Sequence, residues 1–275
     1  MRDIKLIALD LDGTLLNSEK ELTGRSRVAL ANAAAHGIYI VPTTGRFYDA
    51  MPAAIRALPF IEYAITINGA CVERVLTGEV LYHAEIPYEE ALTVMELLDR
   101  YPVIYDCYTG SKAFMTASMQ ENAADYTTSP HYLKMVRELR QPVPELKAFV
   151  KEQKSGIQKI QFLTRDLALK KEIWAVLAER FPQFAISAAI PENVEINHGR
   201  ANKGEALLAL ANILGLTREQ TMSFGDGIND LPMIRAAGTG VAMANAEPEV
   251  LTAADMRTAS CDEDGVAAVI ETLLP

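Results

Sequence analysis

Two aspartates one residue apart, Asp10 and Asp12, close the apolar run that begins at Ile4, and Gly13 and Thr14 follow them. A second acidic group, Asp226 and Asp230 within Gly-Asp-Gly-Ile-Asn-Asp, follows another apolar run at Thr221–Phe224. Taken singly, Asp-Gly and Asn-Asp are ordinary turn residues. A calcium loop is a poor fit to the first group, because it needs an acid or Asn where Thr14 stands and glycine where Leu15 stands. Brought together, the four carboxylates would repel one another strongly unless a cation sat among them. With neither histidine nor cysteine in the set, oxygen donors suit a hard ion, and Mg²⁺ is the usual one where phosphate is handled.

Further residues fit an anionic ligand. Lys203 begins the helical stretch Asn-Lys-Gly-Glu-Ala-Leu-Leu, an end of a helix that disfavours a cation, so an anion must hold it there. It can pair with a carboxylate nucleophile and with a phosphate. Thr44, Gly45 and Arg46 follow the apolar Ile38–Pro42, and a threonine hydroxyl beside backbone N–H groups can cradle phosphate oxygens. Asn68 and Gly69 end the stretch Tyr63–Asn68 in the same manner.

These residues all need strands to place them. A buried parallel strand reads as a continuous apolar run, and ligands bind at the carboxyl edge of such sheets. Strands at residues 4–9, 38–42, 63–68, 221–226 and 238–243 alternate with helices at 24–36 and 203–214, predicting a parallel sheet covered by helices. Between them, a hairpin at 71–82 leads into a separate α/β stretch. It has helices near 88–100, 120–140 and 166–180 and strands near 103–108, 112–116, 157–164, 184–188 and 193–196. The chain is therefore read as a core of residues 1–83 and 191–275 interrupted by an inserted domain, 84–190.

At 275 residues the chain is long for a single domain of roughly 100–200 residues. Its 26 Lys and Arg against 36 Asp and Glu leave a formal charge of −10, which opposes nonspecific binding to nucleic acid or to an anionic membrane. Cys71, Cys107 and Cys261 have no metal-type spacing and leave an odd one over, so they read as small buried hydrophobes in a cytoplasmic protein. No apolar run approaches the ~18 residues of a membrane span.

The order and spacing of Asp10-x-Asp12-Gly13-Thr14, Thr44-Gly45-Arg46, Lys203-Gly204 and Gly225-Asp226-Gly227-x-Asn229-Asp230 resemble the haloacid dehalogenase (HAD) superfamily, most closely its Cof-type phosphatases. Asn68–Ala70, Gly240–Ala246 and Glu263–Ile270 add to the likeness. The resemblance implies a Rossmann-like α/β core with an inserted α/β cap of the C2B type. It implies a Mg²⁺-dependent phosphatase for small phosphorylated metabolites, sugar phosphates being the commonest pattern. Asp10 would be the nucleophile that forms an aspartyl-phosphate, and Asp12 the acid and base. The metal would be held by the Asp10 and Asp226 side chains and the Asp12 carbonyl, with Asp230 behind them. Thr44, Lys203 and Asn229 would hold phosphate oxygens, with Gly45, Arg46 and Asn68 in the same pocket. His198 and Arg200 replace a more usual segment before the lysine and are expected to face water. The acid at position 12 argues against P-type ATPases and dehalogenases, and Thr-Gly-Arg argues against a phosphomutase, the second choice. A phosphoaccepting signalling domain would be shorter and lack an insertion. Cap aromatics Tyr101, Tyr105, Tyr108, Phe114, Tyr126 and Tyr132 are read mainly as the cap's own core. The oligomeric state is not legible.

Overall fold

Strand Leu6–Leu9 is wholly buried, and its two faces feed two different cores. Ile7 and Leu9 pack with Leu30, Ile40, Phe224 and Ile270, whereas Leu6 and Ala8 pack with Val41, Ala206, Leu207 and Met233. This alternation is what a strand between two helical layers requires. The computed structural model describes residues 3–274. Five parallel strands lie in the order Met256–Arg257, Thr239–Ala242, Thr221–Gly225, Leu6–Leu9, Tyr39–Pro42. Helix Gly24–Ala35 begins at Thr23, whose side chain accepts from the Ser26 N–H at 3.1 Å. Helix Lys203–Ile213 covers the other face together with Leu231–Ala236.

The third expected strand is shorter and largely changes partner. Tyr63–Thr66 touches the parallel sheet through one bridge, Ile65 to Thr43, and otherwise pairs antiparallel with Cys71–Arg74, which pairs with Glu79–His83. Ile67, Asn68 and Gly69 all have positive φ (53°, 57° and 89°), so the chain reverses before the strand can extend to Asn68. A Cβ on Gly69 would lie 2.3 Å from the Asn202 carbonyl oxygen, so only glycine fits this reversal beside the start of the Lys203 helix.

The chain divides into two compact units, with boundaries at His83/Ala84 and Ala201/Asn202. The second boundary corrects the expected 190/191. Asn193–His198 pairs antiparallel with Phe184–Ser187 and with Lys159–Leu163, so it completes the inserted unit's sheet. That six-stranded sheet also contains Ile104–Thr109, Lys112–Thr116 and, at an edge, Arg140–Val143. One face is apolar, with Tyr105, Cys107, Ile160, Phe162, Val194 and Ile196 under the helices Tyr88–Leu98 and Leu167–Arg180. The other carries a buried polar group. Arg140 donates to Asp106 Oδ2 at 2.8 Å and to the Tyr108 hydroxyl at 2.7 Å, Gln161 donates to Asp106 Oδ2 at 2.8 Å, and Lys159 pairs with Glu195 at 2.9 Å. The cap aromatics lie within or against the unit's clusters, as expected, except that Tyr108 serves this polar group. Each of Cys71, Cys107 and Cys261 is a buried thiol without a disulfide.

Candidate active site

Parallel register brings the acidic loops to one edge. Leu9 lies opposite Pro42 on one side and Phe224 on the other, so Asp10, Thr43–Thr44 and Gly225–Asp226 leave the sheet side by side. The Asp10 N–H donates to the Phe224 carbonyl at 3.1 Å and the Thr43 N–H to the Leu9 carbonyl at 2.7 Å. From the first strand the chain continues to Tyr39–Pro42 on one side, and from its neighbour Thr221–Gly225 to Thr239–Ala242 on the other, making this the switch point at which α/β folds bind ligands.

Lys203 reaches the cluster from the first turn of its helix, which Asn202 caps by accepting from the Glu205 N–H at 2.9 Å. Its ammonium is fully buried and donates to Asp10 Oδ1 at 2.6 Å and Asp230 Oδ1 at 2.5 Å. Asp230 Oδ2 accepts from the N–H groups of Asp226 and Gly227, both at 2.9 Å. Asp226 Oδ1 accepts from the Thr14 hydroxyl at 2.7 Å. Gly13, at φ 96°, passes so close that a Cβ would lie 2.4 Å from Asp226 Oδ2.

Asp10, Asp226 and Asp230 each offer an oxygen within 4.8 Å of the others. When all three are ionised they carry two more charges than the one that Lys203 supplies. Burial, and then Asp230, push the Asp10 carboxyl above the usual range, while Lys203 pulls it back. Burial also lifts Asp226, to about 6, against the Thr14 hydrogen bond. Burial alone would lower Lys203, but Asp10 and Asp230 outweigh it and keep the ammonium charged. An all-oxygen donor set with two surplus charges fits a hard divalent cation.

Asp12 belongs to a different group. Arg46 Nε donates to its Oδ2 and Nη2 to its Oδ1, both at 3.0 Å, and Lys20 Nζ lies 3.2 Å from Oδ1. Burial works to raise the Asp12 carboxyl, yet Arg46 and Lys20 prevail and hold it below the ordinary carboxylate value. Arg46, expected in the phosphate pocket, is thus the partner of Asp12. Thr44 is buried at the sheet edge, its hydroxyl accepting from the Arg46 N–H at 3.2 Å and its carbonyl from the Asn68 N–H at 3.0 Å. Gly45 passes within 2.6 Å, measured from a hypothetical Cβ, of Asn68 Oδ1. Asn229 is exposed on the turn Ile228–Asp230. His198 and Arg200 belong to the inserted unit; Arg200 is exposed, and its N–H donates to His198 Nδ1 at 3.1 Å. Two participants had no sequence signal of their own. Thr14 was visible only as part of the Asp10 motif, and Lys20 as an unremarked surface lysine.

A family model described as haloacid dehalogenase-like hydrolase matches residues 7–270. The chain belongs to this family. Its HAD relatives include a Bacillus subtilis protein named "Putative phosphatase YxeH", 33% identical over 98% of both chains. Another, from the same organism, is named 5-amino-6-(5-phospho-D-ribitylamino)uracil phosphatase YcsE; it is 30% identical over 98% of this chain and 95% of its own. Among solved structures, a haloacid dehalogenase-like hydrolase from Bacteroides thetaiotaomicron superposes with a TM-score of 0.83 at 27% identity, covering 98% of this chain and 100% of that one. The HAD assignment and the α/β core with a separate cap sheet thus agree with the expectation from sequence. Among the described residues no helix is long and apolar enough to cross a membrane.

Proposed function

We propose that this HAD hydrolase is a Mg²⁺-dependent phosphatase that removes phosphate from small metabolites through an aspartyl-phosphate on Asp10. The observation that carries the reading is Asp10 at the switch-point edge, one oxygen taken by a buried lysine that is itself tied to Asp230. A carboxylate fixed in this way can direct its other oxygen at phosphorus without a base to activate it. Asp10, Asp226 and the Asp12 carbonyl would hold the Mg²⁺, which supplies positive charge against both the carboxylates and the phosphate dianion when bound.

In the first step Asp10 forms a bond to phosphorus, the ester P–O bond breaks, and Asp12 gives its proton to the departing alkoxide. In the second, Asp12 takes a proton from water as that water attacks phosphorus, and Asp10 departs with its carboxylate restored. Asp12 needs to carry a proton for the first step, so its double grip by Arg46 and Lys20 must loosen when substrate is bound. Lys203 and Thr44 are assigned to the phosphoryl oxygens, with Asn229, Gly45 and Asn68 around them. Asp230 positions Lys203.

Sugar and polyol phosphates are the proposed substrates. The name of the YcsE relative, a phosphatase for a phosphoribitylamino compound, supports that choice. The test is phosphate release from p-nitrophenyl phosphate with Mg²⁺, followed by a panel of phosphorylated metabolites. Many turnovers are expected, and one equivalent of phosphate per chain would mean a phosphoacceptor instead. Asp10→Asn should abolish turnover while leaving the circular dichroism spectrum unchanged; activity near wild type would sink the mechanism.

A further inference from the structure

Lys20 occupies a backbone conformation that lysine seldom adopts. Its φ is 64°, in the left-handed region where glycine and asparagine are the usual occupants. The turn around it is firmly closed. Asn17 Oδ1 accepts from the N–H groups of Glu19 and Glu21 at 3.1 and 2.8 Å, and the Lys20 N–H donates to the Asn17 carbonyl at 2.9 Å. Ser18 adds a tether, donating from its N–H and its hydroxyl to the Asp262 carboxylate at 2.8 and 2.6 Å. Nothing in the turn itself favours lysine over glycine. The side chain does, because Nζ reaches Asp12 Oδ1, and backbone strain held for the sake of a side chain is a mark of function.

The two cations on Asp12 are unlike. Arg46 is 17% exposed and anchored by a bond from Nη1 to the Ala50 carbonyl at 3.1 Å, whereas Lys20 is 53% exposed on a flexible four-carbon stem. Arg46 therefore grips the carboxylate from the less exposed side. Lys20 is the partner that can leave.

We propose that Lys20 is a positioning residue for Asp12: it holds Oδ1 from the solvent side and releases that oxygen toward the leaving group. The inference rests on the phosphatase reading, in which Asp12 exchanges a proton with that group. Its loss should matter for esters whose leaving group needs a proton and matter little for an activated aryl ester.

The experiment compares wild type with Lys20→Met, Lys20→Arg and Lys20→Gly on glycerol phosphate and on p-nitrophenyl phosphate. Lys20→Met should lower kcat on glycerol phosphate by about tenfold, the scale of a modest misplacement of a catalytic group, with KM unchanged. On p-nitrophenyl phosphate the rapid-quench rate of aspartyl-phosphate formation should stay within about twofold, because its leaving group needs no proton, while the hydrolysis step common to both esters slows alike. Lys20→Arg should recover most of the loss. Lys20→Gly should match Lys20→Met kinetically yet melt a few degrees higher, about what relief of a left-handed residue gives. Equal losses in the rate of aspartyl-phosphate formation on both esters, or no loss on either, would overturn the proposal. Crystals of wild type and Lys20→Met decide the placement independently of turnover: an Asp12 carboxylate in the same orientation in both overturns it. A wild-type protein inactive on both esters counts against the phosphatase reading alone.

Discussion

Asp226 ties the candidate metal site to pH. Burial, with Asp230 adding to it against the Thr14 hydrogen bond, pushes its carboxyl up to about 6, so the folded protein binds that proton more tightly than an unfolded chain does. Ionising it therefore costs stability above about pH 6, and that cost vanishes below the unfolded value near 4. A cation must displace the proton, so Mg²⁺ activation should weaken by roughly tenfold for each pH unit below 6. Magnesium titrations of activity at pH 5.5 and 7.5 measure this. Asp226→Ala should shift the magnesium titration even at pH 7.5, and an unchanged curve would remove Asp226 from the metal's shell. Asp10, Lys203, Asp226 and Asp230 could be picked out beforehand because each stands next to an apolar run or a helix start, where a charge needs a reason. Thr14 could not be, since its partner is 212 residues away. The family resemblance places Arg46 in the phosphate pocket; nothing in the chain's order says that Asp12 also lies within its reach.

The turn after the first strand does for Asp226 what a side chain could not. Gly13 combines positive φ with an approach to Asp226 that leaves no room for a Cβ. Gly13→Ala should destabilise the protein by about 1–3 kcal/mol and displace Asp226, giving a weaker magnesium response together with a lower melting temperature. A normal magnesium response in a folded Gly13→Ala protein would show that the turn does not set the carboxylate. Helices are legible where their ends are marked, as in Gly24–Ala35, which Thr23 caps and Gly37 follows, and Leu167–Arg180, which Asp166 caps. Strand Arg140–Val143 was hidden because Arg-Gln-Pro-Val reads as a loop; its Pro142 is tolerated at a sheet edge. Helix Leu146–Gln153 begins without a side-chain cap, which removed its start signal. The strand expected at 193–196 is counted with the inserted stretch, yet the expected boundary falls before it, because alternation of Val194 and Ile196 with polar residues does not mark where one sheet's share of the chain ends; the strand runs Asn193–His198 and belongs to the inserted unit.

At the scale of the whole chain, each unit has its own core and its own buried charges. The inserted unit keeps Arg140 and Asp106 almost wholly out of water. Removing one partner strands the other, so Arg140→Met should cost about 3–5 kcal/mol. The single tryptophan, Trp174, packs against that unit's core, so its fluorescence should report the lowered midpoint in urea. Magnesium should leave that signal's midpoint nearly unchanged if the units unfold separately, while raising the midpoint of the core. Ligand at a hundred times its dissociation constant adds about 2.7 kcal/mol to whatever binds it. A tryptophan transition that moves with magnesium as far as the core does would mean that the two units unfold as one.

The buried thiols make that question answerable from inside the molecule. Cys71 and Cys261 belong to the unit that carries the candidate site and Cys107 to the insertion, and all three are shielded from solvent. A thiol-specific alkylating reagent can reach them only when the surrounding structure opens, so mass spectrometry of the modified peptides becomes a clock for each half under native conditions. Cys71 and Cys261 should be slowed by magnesium, and Cys107 should keep its own time.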